Sequence, residues 1–103
     1  MKIDKSIFEF EWDKGNIGKN KKHKVKDQEA EEVFFDSKKV TFKDEVHTTQ
    51  REKRFRILGK TKKERLLFIV FTKRGKKIRI ISARDINKKE VYLYEEKTHT
   101  VKI

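Results

Sequence analysis

"RLLFIVFTKRGKKIRIISARD", residues 65–85, decides how the rest of the chain is read. Leu66 and the five residues after it are apolar at every position, as in a strand covered on both faces at the centre of a sheet. Gly75, within "RGKK", marks a hairpin turn. Residues 78–83 are then the returning strand, which carries Arg79 inside it and leads into Arg84. Ile80, Ile81 and Ala83 are expected to be buried there. A guanidinium among them has a desolvation cost unless a carboxylate or a phosphate pairs with it.

Working back toward the N-terminus, Phe55 and Ile57 share one face of a strand and Arg54 and Arg56 the other, and "GKTKKE" turns the chain into the central strand. Val40 and Phe42 alternate in the same way, and "DEVHTTQRE", residues 44–52, reads as a polar loop. The expected strands are 39–43, 53–59, 65–73 and 77–83. In "DQEAEEVFFD" Asp27 is placed to cap a helix over 27–35, Glu29 adds negative charge to its first turn, and Ala30, Val33 and Phe34 form its apolar stripe. "KGNIGKNKKHK" is basic and holds two glycines, so a short helix or a loop is possible. In "IFEFEWD" Phe8, Phe10 and Trp12 share a face, the period of a half-buried strand over 8–13. Beyond Asp85, Asn87 followed three residues on by Glu90 resembles a capping box, with Val91 and Tyr94 on one face of a helix from 88 to about 96. Residues 97–103 are read as a tail. The order of elements gives an α+β class: a mainly antiparallel sheet, an N-terminal strand, one or two N-terminal helices and a C-terminal helix, in one domain over 1–103.

Composition narrows the function. A chain of 103 residues can bury roughly 60–70% of its unfolded surface. Only 34% of the residues are hydrophobic, but eight phenylalanines and one tryptophan carry large burial areas. A charged fraction of 45% and a net charge of +12 would fit disorder, which the apolar runs exclude. With a pI near 9.9 the expected partner is a polyanion. The absence of cysteine excludes disulfides and thiolate metal sites. No apolar stretch of signal-peptide length opens the sequence, and residues 66–71 are too few to cross a bilayer. The expectation is a cytoplasmic protein without membrane contact.

The sequence has no phosphate-cradling glycine loop and no H-E-x-x-H helix. His23, His47 and His99 stand apart with no ligand spacing, and the acids are scattered, so neither a metal nor another cofactor is expected. What remains is arginine and lysine around aromatic residues. Lys73, Arg74, Lys76 and Lys77 crowd one turn, a field that attracts a nucleic-acid backbone. A metal-free ribonuclease needs little more, because the 2′-hydroxyl of RNA is a nucleophile already beside the phosphate. Arginine's planar fork suits the charge that develops on that phosphate, with Arg54, Arg79 and Arg84 as candidates. Two protons must also move, for which His23 and Tyr94 are candidates. Plainer roles compete with each assignment. Surface lysines usually serve solvation, a lone histidine is usually structural or exposed, and Tyr94 suits a core position with its hydroxyl at the rim. Strand arginines can pair with Glu52, Glu64 or Glu90. The same basic surface would also serve a nucleic-acid-binding module without catalysis.

A set of ordered pieces resembles the BrnT toxins, the ribonuclease half of bacterial BrnT–BrnA toxin–antitoxin pairs. The pieces are "FEWD" at 10–13, "KKH" at 21–23, "EAEEVFFD" at 29–36, "RLLFIVFTKRG" at 65–75, "IRIISARD" at 78–85 and "KKEVYLYEE" at 88–96. The resemblance implies a RelE-like fold and RNA cleavage that blocks translation. It also implies a ribbon-helix-helix antitoxin partner, through which the complex binds and represses its operator DNA. The matching polar positions are Lys22, His23, Arg54, Arg79, Arg84, Glu90 and Tyr94, with Glu90 in a supporting role. Lys24 stands where many members have glycine, and the segment between Trp12 and His23 is about one residue short. Under this reading the strand arginines face a concave sheet surface that receives RNA, and the antitoxin inhibits by covering it.

Overall fold

The computed structural model describes residues 8–100, the last four only by their place in a helix. Five strands form one sheet in the order β1-β5-β4-β3-β2: β1 Glu9–Phe10, β2 Val40–Lys43, β3 Arg54–Lys60, β4 Leu66–Arg74 and β5 Lys77–Asp85. The helices are α1 Asp27–Val33 and α2 Lys88–Thr100, and a 3₁₀ segment runs Lys19–His23. The class is α+β, as the order of patterns predicts. The 66–71 run is indeed central, because β4 lies between β3 and β5 and pairs antiparallel with both. Gly75 supplies the positive φ of 62° that the β4–β5 hairpin requires.

The register sorts the side chains into two faces. Ile57, Leu67, Ile69, Phe71, Ile78, Ile80 and Ala83 join Ala30 and Val33 of α1, and Phe34 just after it, in the hydrophobic core. Phe8, Phe10, Trp12 and Phe55 pack against this cluster, as their shared alternation predicts. Phe34 meets Phe10 and Phe71 edge-to-face at 5.2 and 5.0 Å between ring centres, a favoured aromatic geometry. On the opposite face Arg54, Thr72 and Arg79 form one cross-strand row. Arg56, Val70 and Ser82 form the next, and Leu58, Phe68 and Arg84 the third.

A bulge makes this second face possible. Val70 pairs with Ser82 but Phe71 pairs with Ile80, which leaves Ile81 as the extra residue. Five positions apart, Arg79 and Arg84 would point to opposite faces of a regular strand. The bulge shifts the alternation by one, so they share a face. It also releases Ile81, which is half-buried rather than in the core as the sequence implies.

Several boundaries differ from expectation. The N-terminal strand is two residues long rather than six, and it pairs in parallel with β5, so the sheet is mixed. The reason lies just beyond it. After the Glu11 amide bonds to the Ile78 carbonyl, the Asp13 carbonyl accepts the amides of Asn16 and Ile17 and turns the chain. Buried Asn16 fixes that turn by donating to the carbonyls of Glu11 at 2.9 Å and Ile80 at 3.1 Å. Asp27 does not cap α1. It is the first helical residue, and its carboxylate accepts the Gly18 amide at 3.0 Å, tying the 3₁₀ segment to the helix. Lys26 takes the cap position, where its amide donates to Glu29 Oε1 at 3.0 Å. α1 ends at Val33 rather than 35. α2 continues to Thr100, so the first part of the expected tail is helical, while 101–103 lie outside the described residues. Its capping box is present: the Asn87 amide donates to Glu90 Oε1, and the Glu90 amide to Asn87 Oδ1, both at 2.9 Å.

Candidate nucleic-acid interface

The face away from α1 carries the cations. α2 packs on β3, where Leu58 is fully buried, and beyond it the face opens into a cleft of about 330 Å³. Asp44 and His47 from the β2–β3 loop line it, with Arg54 and Arg56 of β3, Phe68 and Val70 of β4, and Ser82 of β5. The Arg56 guanidinium stands over the Phe42 ring at 5.1 Å, and that of Arg84 over Phe68 at 4.1 Å. Arg84 thus sits at the margin of the cleft, on a ring that lines it.

Each of these arginines meets a carboxylate. Arg84 donates to both oxygens of Glu90, at 2.9 and 2.8 Å, so the expected resting partner is in place. Glu90 Oε1 also accepts the Asn87 amide, so the cap of α2 and the arginine share one carboxylate. Burial would raise the Glu90 carboxyl. The Arg84 and Asn87 bonds and the charges of Arg84 and Arg56 outweigh it and hold the group below its ordinary value. Arg54 Nε donates to Glu52 at 2.8 Å. Arg56 lies 3.7 Å from Asp44, and its buried Nε has no hydrogen-bond partner among the described residues. Arg79 is only 13% exposed. It donates to both oxygens of Asp13, at 2.8 and 2.9 Å, and to Glu11 at 3.2 Å. The Arg79 bond, with the Gly15 amide, keeps the Asp13 carboxyl below its ordinary value.

The sequence-predicted residues therefore divide. Arg54, Arg79 and Arg84 share the open face. Lys73, Arg74, Lys76 and Lys77 are exposed around the β4–β5 hairpin, although Arg74 reaches back to Glu11 at 3.1 Å. Lys22 and His23 are exposed at the end of the 3₁₀ segment, away from the cleft lining. The His23 carbonyl is 3.4 Å from Arg65, which binds Asp85 at 2.7 Å, Glu29 at 3.3 Å and the Lys24 carbonyl at 2.8 Å. Arg65 is a clamp between the N-terminal segment and the β4–β5 strands that the sequence did not signal. Tyr94 is buried and donates to Asp36 Oδ2 at 2.7 Å. Burial, with the Asp36 bond and charge, pushes its phenol well above the ordinary value, as in a core tyrosine with its hydroxyl at the rim. His99 lies outside the described side chains. Glu64, expected as a possible arginine partner, occupies the β3–β4 turn with φ 64°.

Sequence reading gave Asp44 and His47 no role and counted Arg56 only among the basic residues around the strands. The only local signal was an Asp and a His three apart in a polar loop. In the fold Asp44 Oδ2 is 2.9 Å from His47 Nδ1. A larger groove, about 750 Å³, runs beside α1. It is aromatic and acidic: Glu31, Glu32, Asp36 and Glu64 outnumber Lys60 and Lys62 in its lining. That balance suits a phosphate backbone less well than the arginine face. Among the described residues no group of His, Cys, Asp and Glu is placed to hold a metal ion, and no helix is long and apolar enough to cross a membrane.

Comparison with known families agrees with this chemistry. The family of the ribonuclease toxin BrnT, of type II toxin–antitoxin systems, matches residues 12–90. The chain belongs to the BrnT family. No curated relative matches it. At the level of the family, BrnT members are ribonuclease toxins, with RNA as substrate and an antitoxin as partner. The matched BrnT region runs from Trp12 to Glu90, so it includes the cleft and the arginine rows.

Proposed function

We propose that this toxin is an endoribonuclease that cleaves RNA without a metal ion, on the open face of the sheet. The observation that carries the proposal is the alignment of Arg54, Arg56, Arg79 and Arg84 on one face of the sheet, with Arg54 and Arg56 lining the cleft. The phosphates of an RNA strand compete with the carboxylates that hold these forks at rest. The 2′-hydroxyl attacks the adjacent phosphorus, and the guanidinium forks hold the equatorial oxygens as charge accumulates on them. Arg54 and Arg84 flank the cleft, and Arg79 continues the row toward β1. Lys73, Arg74, Lys76 and Lys77 lead the backbone in from the hairpin. Lys22 and His23 lie farther along the molecule, where they suit contact with the flanking strand. Tyr94 and Glu90 suit holding α2 and Arg84 in place. The toxin acts in the cytoplasm as one domain and halts translation by destroying RNA. A BrnA-like ribbon-helix-helix antitoxin silences it by covering the arginine face, and the complex meets operator DNA through the antitoxin.

A second reading, a nucleic-acid-binding module without catalysis, draws support from the carboxylate held by each face arginine. Incubation of the purified protein with end-labelled RNA in EDTA separates the two. The proposal expects cleavage that leaves a 2′,3′-cyclic phosphate and a 5′-hydroxyl, and none where the attacking nucleotide is 2′-deoxy. Loss of cleavage in EDTA, or 5′-phosphate ends, would refute the metal-free mechanism. Binding without cleavage would establish the second reading.

A further inference from the structure

The cleft contains an oriented histidine. Asp44 is nearly fully buried, its side chain 4% exposed, and its place is fixed by the backbone. Its amide donates to the Arg54 carbonyl at 2.8 Å, and its own carbonyl accepts the Thr48 hydroxyl at 2.7 Å. The carboxylate beyond these anchors meets His47 Nδ1 at 2.9 Å, while the His47 side chain is 62% exposed. One ring nitrogen is thus committed to a rigid acid, and the exposed ring is free to offer the other to a ligand. The carboxylate favours the tautomer with the proton on Nδ1, which leaves a lone pair on Nε2. Among the residues that line the cleft the charged groups are Asp44 on the same loop and Arg54 and Arg56 from β3, with Glu52 bound to Arg54 and with Glu45 and Arg51 elsewhere on the loop. The linings from β4 and β5 are Phe68, Val70, Ile81 and Ser82, none of which titrates.

We infer that His47, oriented by Asp44, takes the proton from the attacking 2′-hydroxyl of RNA bound in this cleft. The inference rests on the ribonuclease reading above and deepens it by naming the base. In the step, the 2′-oxygen forms its bond to phosphorus and its proton passes to Nε2 of His47. The bond from phosphorus to the 5′-oxygen breaks, and that oxygen takes a proton from solvent water. The product ends are a 2′,3′-cyclic phosphate and a 5′-hydroxyl. Arg54 and Arg56, lining the same cleft, hold the phosphate so that the 2′-hydroxyl falls beside the ring. His47 is the catalytic residue. Asp44 is a positioning residue that acts through it.

The test measures cleavage of a short RNA against pH for the parent, His47→Gln and Asp44→Asn. Melting temperature and affinity for an uncleavable 2′-deoxy-substituted copy of the same RNA are measured alongside. His47→Gln should lower kcat by about 10²-fold or more and abolish the acid limb of the rate profile. Its melting temperature and its affinity for the uncleavable RNA should stay near the parent's. Asp44→Asn should lower kcat while KM and the affinity for the uncleavable RNA stay near the parent's, because the ring is no longer held in one orientation. A merely structural carboxylate would lower the melting temperature and leave kcat of the folded protein in place. If His47→Gln cleaves like the parent, or loses rate with the acid limb intact, the inference is overturned while the ribonuclease reading stands. If the parent itself leaves RNA whole, both fall together.

Discussion

Replacing Arg84 by alanine separates what that guanidinium does for the fold from what it does for RNA. In the resting protein it makes two bonds to Glu90, at 2.9 and 2.8 Å, and lies 4.1 Å from the centre of the Phe68 ring. Its side chain is 38% exposed and that of Glu90 15%, so solvent screens part of the pairing. An exposed ion pair contributes about 0.2–1 kcal/mol. The cation–π contact adds about 0.5–1 kcal/mol. Arg84→Ala should therefore cost about 1–2 kcal/mol of stability, lowering Tm by about 4–16 °C. Losing a donor to the transition-state oxygens costs more, about 3–4 kcal/mol, which lowers cleavage by on the order of 10²–10³-fold. Arg84→Lys should regain only part of that rate, because an ammonium cannot grip two oxygens in one plane. Glu90→Gln reports the structural share alone, since it weakens the pairing and leaves the fork in place. The assay is thermal melting of all three variants beside single-turnover RNA cleavage in EDTA, well below the lowest Tm. If Arg84→Ala cleaves at the parent's rate once folded, Arg84 is an ion-pair residue of the α2 cap and has no part in the chemistry.

The hairpin makes a prediction about salt. Contacts from Lys73, Arg74, Lys76 and Lys77 to a single strand would give a log–log slope of about −3, and neutralising the three lysines should reduce it by about 2. An unchanged slope would remove the hairpin from the RNA path. Gly59→Ala should destabilise the fold by about 1–3 kcal/mol, because its new methyl would lie 2.7 Å from Val33 Cγ1 and 3.2 Å from the Val33 carbonyl oxygen. An unshifted urea midpoint would show that α1 can move away from β3. Acid should weaken the fold in a defined window. The Arg65 bond holds the Asp85 carboxyl below its ordinary 3.8, and the balance at Glu90 leaves that group below 4.5. Groups depressed in the folded state add stability above the unfolded values and lose it as pH falls through the folded ones. Tm should thus hold down to about pH 5 and drop below about pH 4, less steeply in Asp85→Asn. Equal slopes for the two proteins would place the acid sensitivity elsewhere. An antitoxin that inhibits by occlusion should bury about 1,000 Å² or more and cover Arg84. A complex that leaves Arg84 open to solvent would require another mode of inhibition.

The fold was legible where one period dominated. The continuous apolar run at 66–71 read as a central strand, and the alternations around Phe42 and Phe55 marked β2 and β3, which the sheet lays out on one side of it. Asn87 and Glu90 marked the start of α2 to the residue, because a capping box is a local interaction between side chain and backbone. The ends that moved are those set by distant partners. Asp27 has the right chemistry for a cap, but the Gly18 amide, nine residues away, claims its carboxylate. β1 stops after two residues because Asn16 must reach both Glu11 and Ile80. Neither contact leaves a trace in hydropathy.

The site was harder to read, and the reasons are geometric. Arg79 and Arg84 attract attention as charges in an apolar strand, yet their spacing of five argues that they face opposite ways. Only the unpaired Ile81 reconciles them, and nothing in "IRIISARD" announces which residue a bulge will leave over. The histidines show a second kind of blindness. His23 gains interest from its neighbours in sequence, within a piece that matches the family. His47 sits in a stretch whose composition says loop. What distinguishes it is the burial of Asp44, and that burial follows from the Asp44 amide pairing with the Arg54 carbonyl just past the β2–β3 ladder. An aspartate pinned there presents a fixed carboxylate, and a histidine three residues on can turn back to meet it. Sequence supplies the two residue types and their spacing. Only the closed loop turns an ordinary polar pair into an oriented imidazole facing the arginine rows.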